Sequence, residues 1–196
     1  MSDHFDSEPE QSIAPPPADW AQQLLAFWFD RHGMDDWYGG GAEFDAAVRD
    51  LAGDWHEALR DRPPETFLSD PDTALAATIL FDQVPRNIHR GHADAFATDP
   101  LARAIARGIV EREWDTAWPD ERRQFAYLPF QHSEAMDDQR ESLRLFGQLA
   151  DPLFHDYARK HFDIVARFGR FPHRNAALGR ASRADEADAI EEGSNW

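Results

Sequence analysis

The sequence contains no cysteine among its 196 residues. A disulfide framework, a thiolate zinc site and a thiol nucleophile are therefore excluded. Lysine is almost missing as well, because Lys160 stands alone beside 19 arginines. Nearly all of the permanent positive charge is therefore carried by guanidinium groups.

Long apolar runs are also lacking, since no stretch approaches the roughly 18 residues that a membrane-spanning helix needs. The segment from Met1 to Pro17 has neither the basic start nor the apolar stretch of a secretory signal. We therefore expect a cytoplasmic protein. Its net charge of −17 leaves no general basic face, which argues against nucleic-acid and anionic-membrane partners.

The residues that are abundant predict a real hydrophobic core. Apolar residues make up 42% of the chain, and they include 7 Trp and 14 Phe, whose large side chains need packing partners. The length fits one ordinary domain. We predict a disordered acidic tail at 1–16, a single helical domain at 17–192 and a short C-terminal tail at 193–196.

Apolar residues recur at spacings of three and four, which indicates amphipathic helices. The predicted helices are one that begins near Pro17, one at 42–59, one from Pro71 to about Phe81, one that begins at Asp99, one at about 119–127, one that follows a Ser133 cap, and one at 152–168. We expect Pro85 to end the third of them. No segment alternates like a strand, so the sequence predicts an all-α fold of antiparallel helical hairpins, either bundled or stacked as a short solenoid.

Positive charge is concentrated in one part of this acidic chain. Residues 157–183 carry seven basic side chains and one acid, a balance of 7 − 1 = +6. Such a stretch predicts either an internal ion-pair cluster or a pocket for a small anion.

Two short segments share a pattern in which Phe is followed by three residues, a proline and then an Arg-Asn pair. They lie at 81–87 and 168–175, and further arginines follow each of them. Arginine and asparagine side chains can satisfy the bare carbonyls of a helix end. Alternatively, two such corners can converge on one anion. The candidate ligand-binding residues are Arg86, Asn87, Arg90, Arg170, His173, Arg174 and Asn175.

A third candidate segment contains His132 and Glu134 after a Pro-Phe break. Glu134 could orient or charge the imidazole for general acid–base catalysis, which makes the two residues candidate catalytic groups. The alternative is that Ser133 caps a helix and Glu134 complements the helix dipole. His161 lies on an apolar helix face and is interpreted as a core residue. His132, Glu134, His161 and His173 could in principle bind a metal through nitrogen and oxygen atoms, but no helical His-x3-His pair supports this, and the sequence predicts neither a metal nor a cofactor.

Four segments together resemble one bacterial family, the domain of unknown function 924. They are Asp-Gln-Val-Pro-Arg-Asn at 82–87, Ala-Phe-Ala-Thr-Asp-Pro at 95–100, Tyr-Leu-Pro-Phe-Gln-His-Ser-Glu at 127–134 and Phe-Gly-Arg-Phe-Pro-His-Arg-Asn at 168–175. The resemblance covers about 20–190. It implies a tetratricopeptide-like helical fold, and it implies no particular activity.

Two functional hypotheses follow, and a third in which the motifs only hold the fold together. In the first, the two Pro-Arg-Asn corners and the His-Ser-Glu turn line one pocket for a small anionic ligand, with His132 as a base in a hydrolase-like or lyase-like reaction. In the second, the protein is a tetratricopeptide-like adaptor for a peptide or protein partner. A closed cleft favours the first hypothesis, and an open surface favours the second.

Overall fold

The computed structural model describes residues 14–187, which form eight α-helices and contain no strand. The all-α prediction is therefore confirmed for this range. The helices are α1 Trp20–Leu25, α2 Met34–Gly39, α3 Ala42–Leu59, α4 Pro71–Ile88, α5 Asp99–Glu111, α6 Asp120–Gln131, α7 Met136–Phe146 and α8 Pro152–Phe168. A π-helical turn, Ala26–Arg31, continues α1. Except for residues 14–16, both predicted tails lie outside the described residues.

Local sequence signals place several helix ends correctly. Helices α3 and α8 have the predicted bounds. The Asp70 carboxylate caps α4 by accepting a 2.9 Å hydrogen bond from the backbone N–H of Thr73. Helix α8 ends at Gly169, which adopts the left-handed conformation with φ of 70°.

The prediction that Pro85 ends the third helix is wrong, because α4 continues to Ile88 with Pro85 inside it. A proline lacks the N–H that would bond the carbonyl four residues earlier, which is that of Phe81. The Thr98 hydroxyl donates to this carbonyl at 2.7 Å and replaces the missing bond. Arg86 and Asn87 therefore lie within the last turns of a helix and not in a corner after it.

The end of α6 also differs from the prediction. The helix continues past Tyr127 to Gln131, with Pro129 inside it, so His132 is its C-terminal cap residue. Ser133 is not the N-cap of α7, a position held by Ala135. The Ser133 hydroxyl instead accepts from the backbone N–H of Ala135 and donates to Asp138 in the first turn of α7.

Helix α4 is the centre of the packing. It contacts α1, α3, α5 and α6, and its residues from Ala74 to Phe81 are all buried. Helices α7 and α8 pack on each other, and both contact α6. As a result, the C-terminal ends of α4 and α6 lie together beside α8. None of the helices in residues 14–187 is both long and apolar enough to cross a bilayer.

Candidate functional site

A cleft of about 650 Å³ opens where the ends of α4 and α6 meet. Helix α2, the first part of α8, the end of α7, residues 95–96 and the 3₁₀ turn Pro172–Arg174 also line it. Its basic and imidazole side chains are Arg86, Arg90, His132, His161, His173 and Arg174. Small-molecule sites have volumes of about 300–1,000 Å³, so the cleft has the size of such a site.

A buried carboxylate holds the imidazole of His132. The Nδ1 atom of His132 lies 2.8 Å from Oδ1 and 3.0 Å from Oδ2 of Asp82, whose side chain is 1% exposed. Arg86 lies 3.3 Å from the same carboxylate, and Gln83 donates to it at 2.5 Å. Burial alone would raise the pKa of Asp82, but the Arg86 charge and the hydrogen bonds from His132 and Gln83 outweigh burial and lower this pKa far below its ordinary value. Asp82 is therefore ionised at neutral pH.

The Asp82 carboxylate determines the tautomer of His132. An ionised carboxylate only accepts hydrogen bonds, so Nδ1 of His132 carries the proton. Burial lowers the pKa of His132 more than Asp82 raises it, which favours the neutral imidazole. The Nε2 atom then has a free lone pair, and His132 lines the cleft. This arrangement is that of a general base oriented by a carboxylate.

A chain of charges runs from this pair towards the turn after α8. Arg86 donates twice to Asp99, at 2.8 and 3.0 Å, and Arg174 reaches the same carboxylate at 3.4 Å. The Arg174 guanidinium lies 4.6 Å from the ring centres of both Phe96 and Phe171. Burial, followed by repulsion from Arg86, lowers the pKa of Arg174 to about 10, so it remains charged at neutral pH.

Polar atoms in the wall of the cleft lack partners. The Nε of Arg174, Nδ1 of His173 and Oε1 of Gln131 are buried and have no hydrogen bond within the described part of the chain. Such atoms are uncommon in folded proteins, and each unsatisfied group costs about 1–3 kcal/mol. Two of these atoms belong to His173 and Arg174 of the Pro172–Arg174 turn, and Arg174 carries a positive charge. These groups in the wall are therefore not fully satisfied by hydrogen bonds within the protein itself.

The mouth of the cleft is apolar. Met34 and Tyr38 on α2, with Leu153 and Tyr157 on α8, are between 41% and 56% exposed and line the opening. Among the exposed large apolar side chains of residues 14–187, only Leu178 does not line it. Clustered exposed apolar groups are typical of binding sites. The cleft thus combines charged groups in its wall with an apolar rim.

The structure brings together most of the residues that the sequence singled out. Those that line the cleft are Arg86, Asn87, Arg90, His132, His173 and Arg174. Glu134, Arg170 and Asn175 do not line it. Asn87 donates to the Gln83 carbonyl and Arg90 pairs with Asp45, so both also make structural contacts.

Glu134 is not the partner of His132, which is bonded to Asp82 instead. The Glu134 carboxylate accepts two hydrogen bonds from Arg180, at 2.7 and 2.9 Å, and one from the backbone N–H of Phe171. Burial alone would raise the pKa of Glu134, but the Arg180 hydrogen bonds outweigh burial and lower this pKa below its ordinary value. Glu134 therefore joins the start of α7 to the turn that presents Arg174.

Arg170 and Asn175 support the same turn from its other side. Arg170 donates twice to the buried carboxylate of Glu186, at 2.7 and 2.8 Å, and Asn175 donates to it at 3.0 Å. Four of the seven basic side chains of 157–183 thus pair with carboxylates of the described residues. Among the arginines of this segment, only Arg174 lines the cleft.

Sequence reasoning missed the acidic members of the site. Neither Asp82 nor Asp99 is among the candidate site residues that the sequence predicts. The spacing of Asp82 and Arg86 indicates a pair on one helix, but no sequence signal connects Asp82 to His132. That contact depends on how α4 and α6 pack.

Comparisons with known proteins place the chain among uncharacterised relatives. Residues 24–194 match a family described as bacterial proteins of unknown function, DUF924. A solved structure of a protein of unknown function from Agrobacterium tumefaciens is similar, with 40% identity and a TM-score of 0.84. That match covers 90% of this chain and 99% of the other. No curated protein matches the chain.

Proposed function

The chain belongs to the bacterial family DUF924, whose function is unknown, and we propose that it binds a small anion bearing an apolar group in the cleft, with His132 as a general base. The observation that carries this proposal is the buried Arg174 guanidinium, which has an unpartnered Nε and lines the cleft together with His132. A carboxylate or phosphate is the natural partner of such a group.

The charge around Arg174 supports an anionic ligand. Arg86 shares its charge with both Asp82 and Asp99 at short distances, whereas Arg174 has one contact of 3.4 Å with an already paired carboxylate. A buried charge with weak compensation is costly unless something else pairs with it. The apolar rim formed by α2 and α8 would cover the uncharged part of the same ligand.

Burial favours a small ligand over the adaptor hypothesis. The side chains of His132, Arg86 and Arg174 are 14%, 18% and 7% exposed. A peptide-binding groove presents its polar recognition groups along an open surface. These three groups instead lie within one cleft of small-molecule size.

The binding proposal predicts selective stabilisation by anions with an apolar group. Benzoate and phenyl phosphate should raise the melting temperature, whereas acetate should do so weakly and neutral benzyl alcohol should not. A ligand at about 100 times its Kd stabilises the native state by about 2.7 kcal/mol. Differential scanning fluorimetry measures the shift.

Two matched variants make this test specific. Arg174→Gln should abolish the benzoate and phenyl phosphate shifts, because it removes the charge that would bind the anion. Arg140→Gln should retain them, because Arg140 is 63% exposed on α7 and pairs only with Asp137. Equal shifts in the wild-type protein and in Arg174→Gln would contradict an anion site at Arg174.

The general-base role predicts a loss of activity without a loss of stability in His132→Asn. The asparagine amide can donate to Asp82 as Nδ1 does, but it has no counterpart of the free Nε2 lone pair. Hydrolysis of p-nitrophenyl esters, followed by absorbance, should fall about 10²–10⁴-fold.

His132→Ala is the comparison for that prediction. It leaves buried Asp82 without one of its partners and should cost about 1–3 kcal/mol of stability even if His132 is not catalytic. If His132→Asn hydrolyses the ester as fast as the wild-type protein, His132 is not a base in this reaction.

A further inference from the structure

A group of side chains that can bind a metal lies outside the cleft. His56 and Glu57 are on α3, and His89 follows the last turn of α4. One potential ligand atom from each lies within 4.8 Å of the other two. None of the three residues lines the cleft described above. His56 is fully buried, although histidine is only intermediate among the residue types in how often it is buried.

Hydrogen bonding determines which nitrogen of His56 is available. The Thr98 hydroxyl has a single proton, and it donates that proton to the Phe81 carbonyl at 2.7 Å. The 3.2 Å contact between Thr98 Oγ1 and His56 Nε2 therefore requires the imidazole N–H to be the donor. In the neutral imidazole, Nδ1 of His56 is then an acceptor.

This acceptor faces another acceptor. The Nδ1 atom of His56 lies 3.3 Å from Oε1 of Glu57, and two acceptors at this distance repel unless a proton or a cation lies between them. Arg60 donates to the same oxygen at 2.9 Å. The other carboxylate oxygen, Oε2, makes no hydrogen bond with the described residues.

An independent observation comes from His89. Its Nε2 atom is buried and has no hydrogen-bond partner in residues 14–187. The His89 ring centre lies 6.4 Å from that of His56. Potential ligand atoms of two imidazoles and one carboxylate therefore lie in one small region between α3 and the end of α4, and one of the imidazole nitrogens has no partner there.

We propose that His56, Glu57 and His89 form a binding site for a divalent transition metal such as Zn²⁺. Two imidazoles and one carboxylate are a ligand set that Zn²⁺ accepts, with a fourth position for water. The bond from His56 Nε2 to Thr98 matches the outer hydrogen bond that orients metal-binding histidines. Ligand atoms around Zn²⁺ are about 3.4 Å apart, so the side chains would close by about 1 Å.

The sequence predicts no metal site, because its two histidines come from different helices. Only the packing of α3 against the end of α4 brings His56 and His89 together. The site is also separate from His132, so its test does not depend on the proposed function of the cleft.

Cobalt binding tests this proposal on the full chain after treatment with a chelator. Added Co²⁺ should give visible absorption that saturates at one equivalent, and Zn²⁺ should displace it. His89→Ala and Glu57→Gln should each weaken Co²⁺ binding at least about tenfold. His92→Ala is the matched control and should not change it, because His92 is 70% exposed and lies outside the cluster.

A second measurement separates the loss of a metal ligand from the loss of the fold. Zn²⁺ should raise the melting temperature of the wild-type protein and of His92→Ala but not that of His89→Ala. The proposal is overturned if the wild-type protein binds no Co²⁺, which would leave His56 and Glu57 as a proton-sharing pair. It is also overturned if binding persists in His89→Ala and disappears in His132→Asn, since the metal would then lie in the cleft.

Discussion

Replacing Asp82 with alanine should lower the free energy of unfolding by about 3–5 kcal/mol, the cost of removing one partner of a buried charge pair. The Asp82 carboxylate is 1% exposed and accepts from His132 and Gln83 while lying 3.3 Å from Arg86. Without it, the His132 Nδ1–H loses its acceptor inside the protein. Arg86 keeps Asp99, which limits the loss to this range.

Urea unfolding at neutral pH, followed by circular dichroism, measures this effect. Asp94→Ala is the matched control, because the Asp94 side chain is 50% exposed and pairs with exposed His92. It should change stability by less than about 0.5 kcal/mol. A loss below about 1 kcal/mol in Asp82→Ala would show that the buried pair contributes little net stability.

Acidification from about pH 7.5 to about pH 5 should destabilise the protein by about 4 kcal/mol through His161 and His173 alone, and the lowered pKa values of His56 and His132 add to this loss. Burial, followed by the neighbouring His132, lowers the pKa of His161 to about 3. Burial, followed by the Arg174 charge, lowers the pKa of His173 to about 4. Both imidazoles are thus held neutral in the folded protein.

The sign follows from the unfolded state, where these histidines titrate near pH 6.5. Above that pH, both states are neutral and the full stability is present. As the pH falls below about 6.5, the unfolded chain binds protons that the folded chain does not, and each histidine costs about 2 kcal/mol by about pH 5. The lowered pKa values of Asp82 and Glu134 act mainly below about pH 5, because carboxyls in the unfolded chain titrate near pH 4, so most of their effect lies below the histidine window.

Urea unfolding at the two pH values checks this prediction. His161→Phe should reduce the acid-induced loss by about 2 kcal/mol, because it removes one of the buried imidazoles that the fold holds neutral. His92→Gln should leave the loss unchanged, since His92 is well exposed. An identical loss in His161→Phe and the wild-type protein would show that His161 is not held neutral by burial.

The sequence by itself determined the all-α fold, the bounds of α3 and α8 and the capping of α4 by Asp70. These features depend on residues close together in the chain: an apolar period, a cap, a proline at the first turn and a glycine at the end. Only the tertiary structure decided that α4 continues through Pro85, because the Thr98 hydroxyl that replaces the missing hydrogen bond comes from the segment before α5.

Tertiary packing likewise decided the partner of His132. The sequence pointed to Glu134, two residues away, but the end of α6 packs against α4 and places His132 on Asp82. Glu134 instead bonds Arg180 and holds the turn that presents Arg174. Local patterns determine where helices form, because their hydrogen bonds connect neighbours in the chain. The partners of buried charges are determined by which helix ends meet, and that depends on the burial of the whole core.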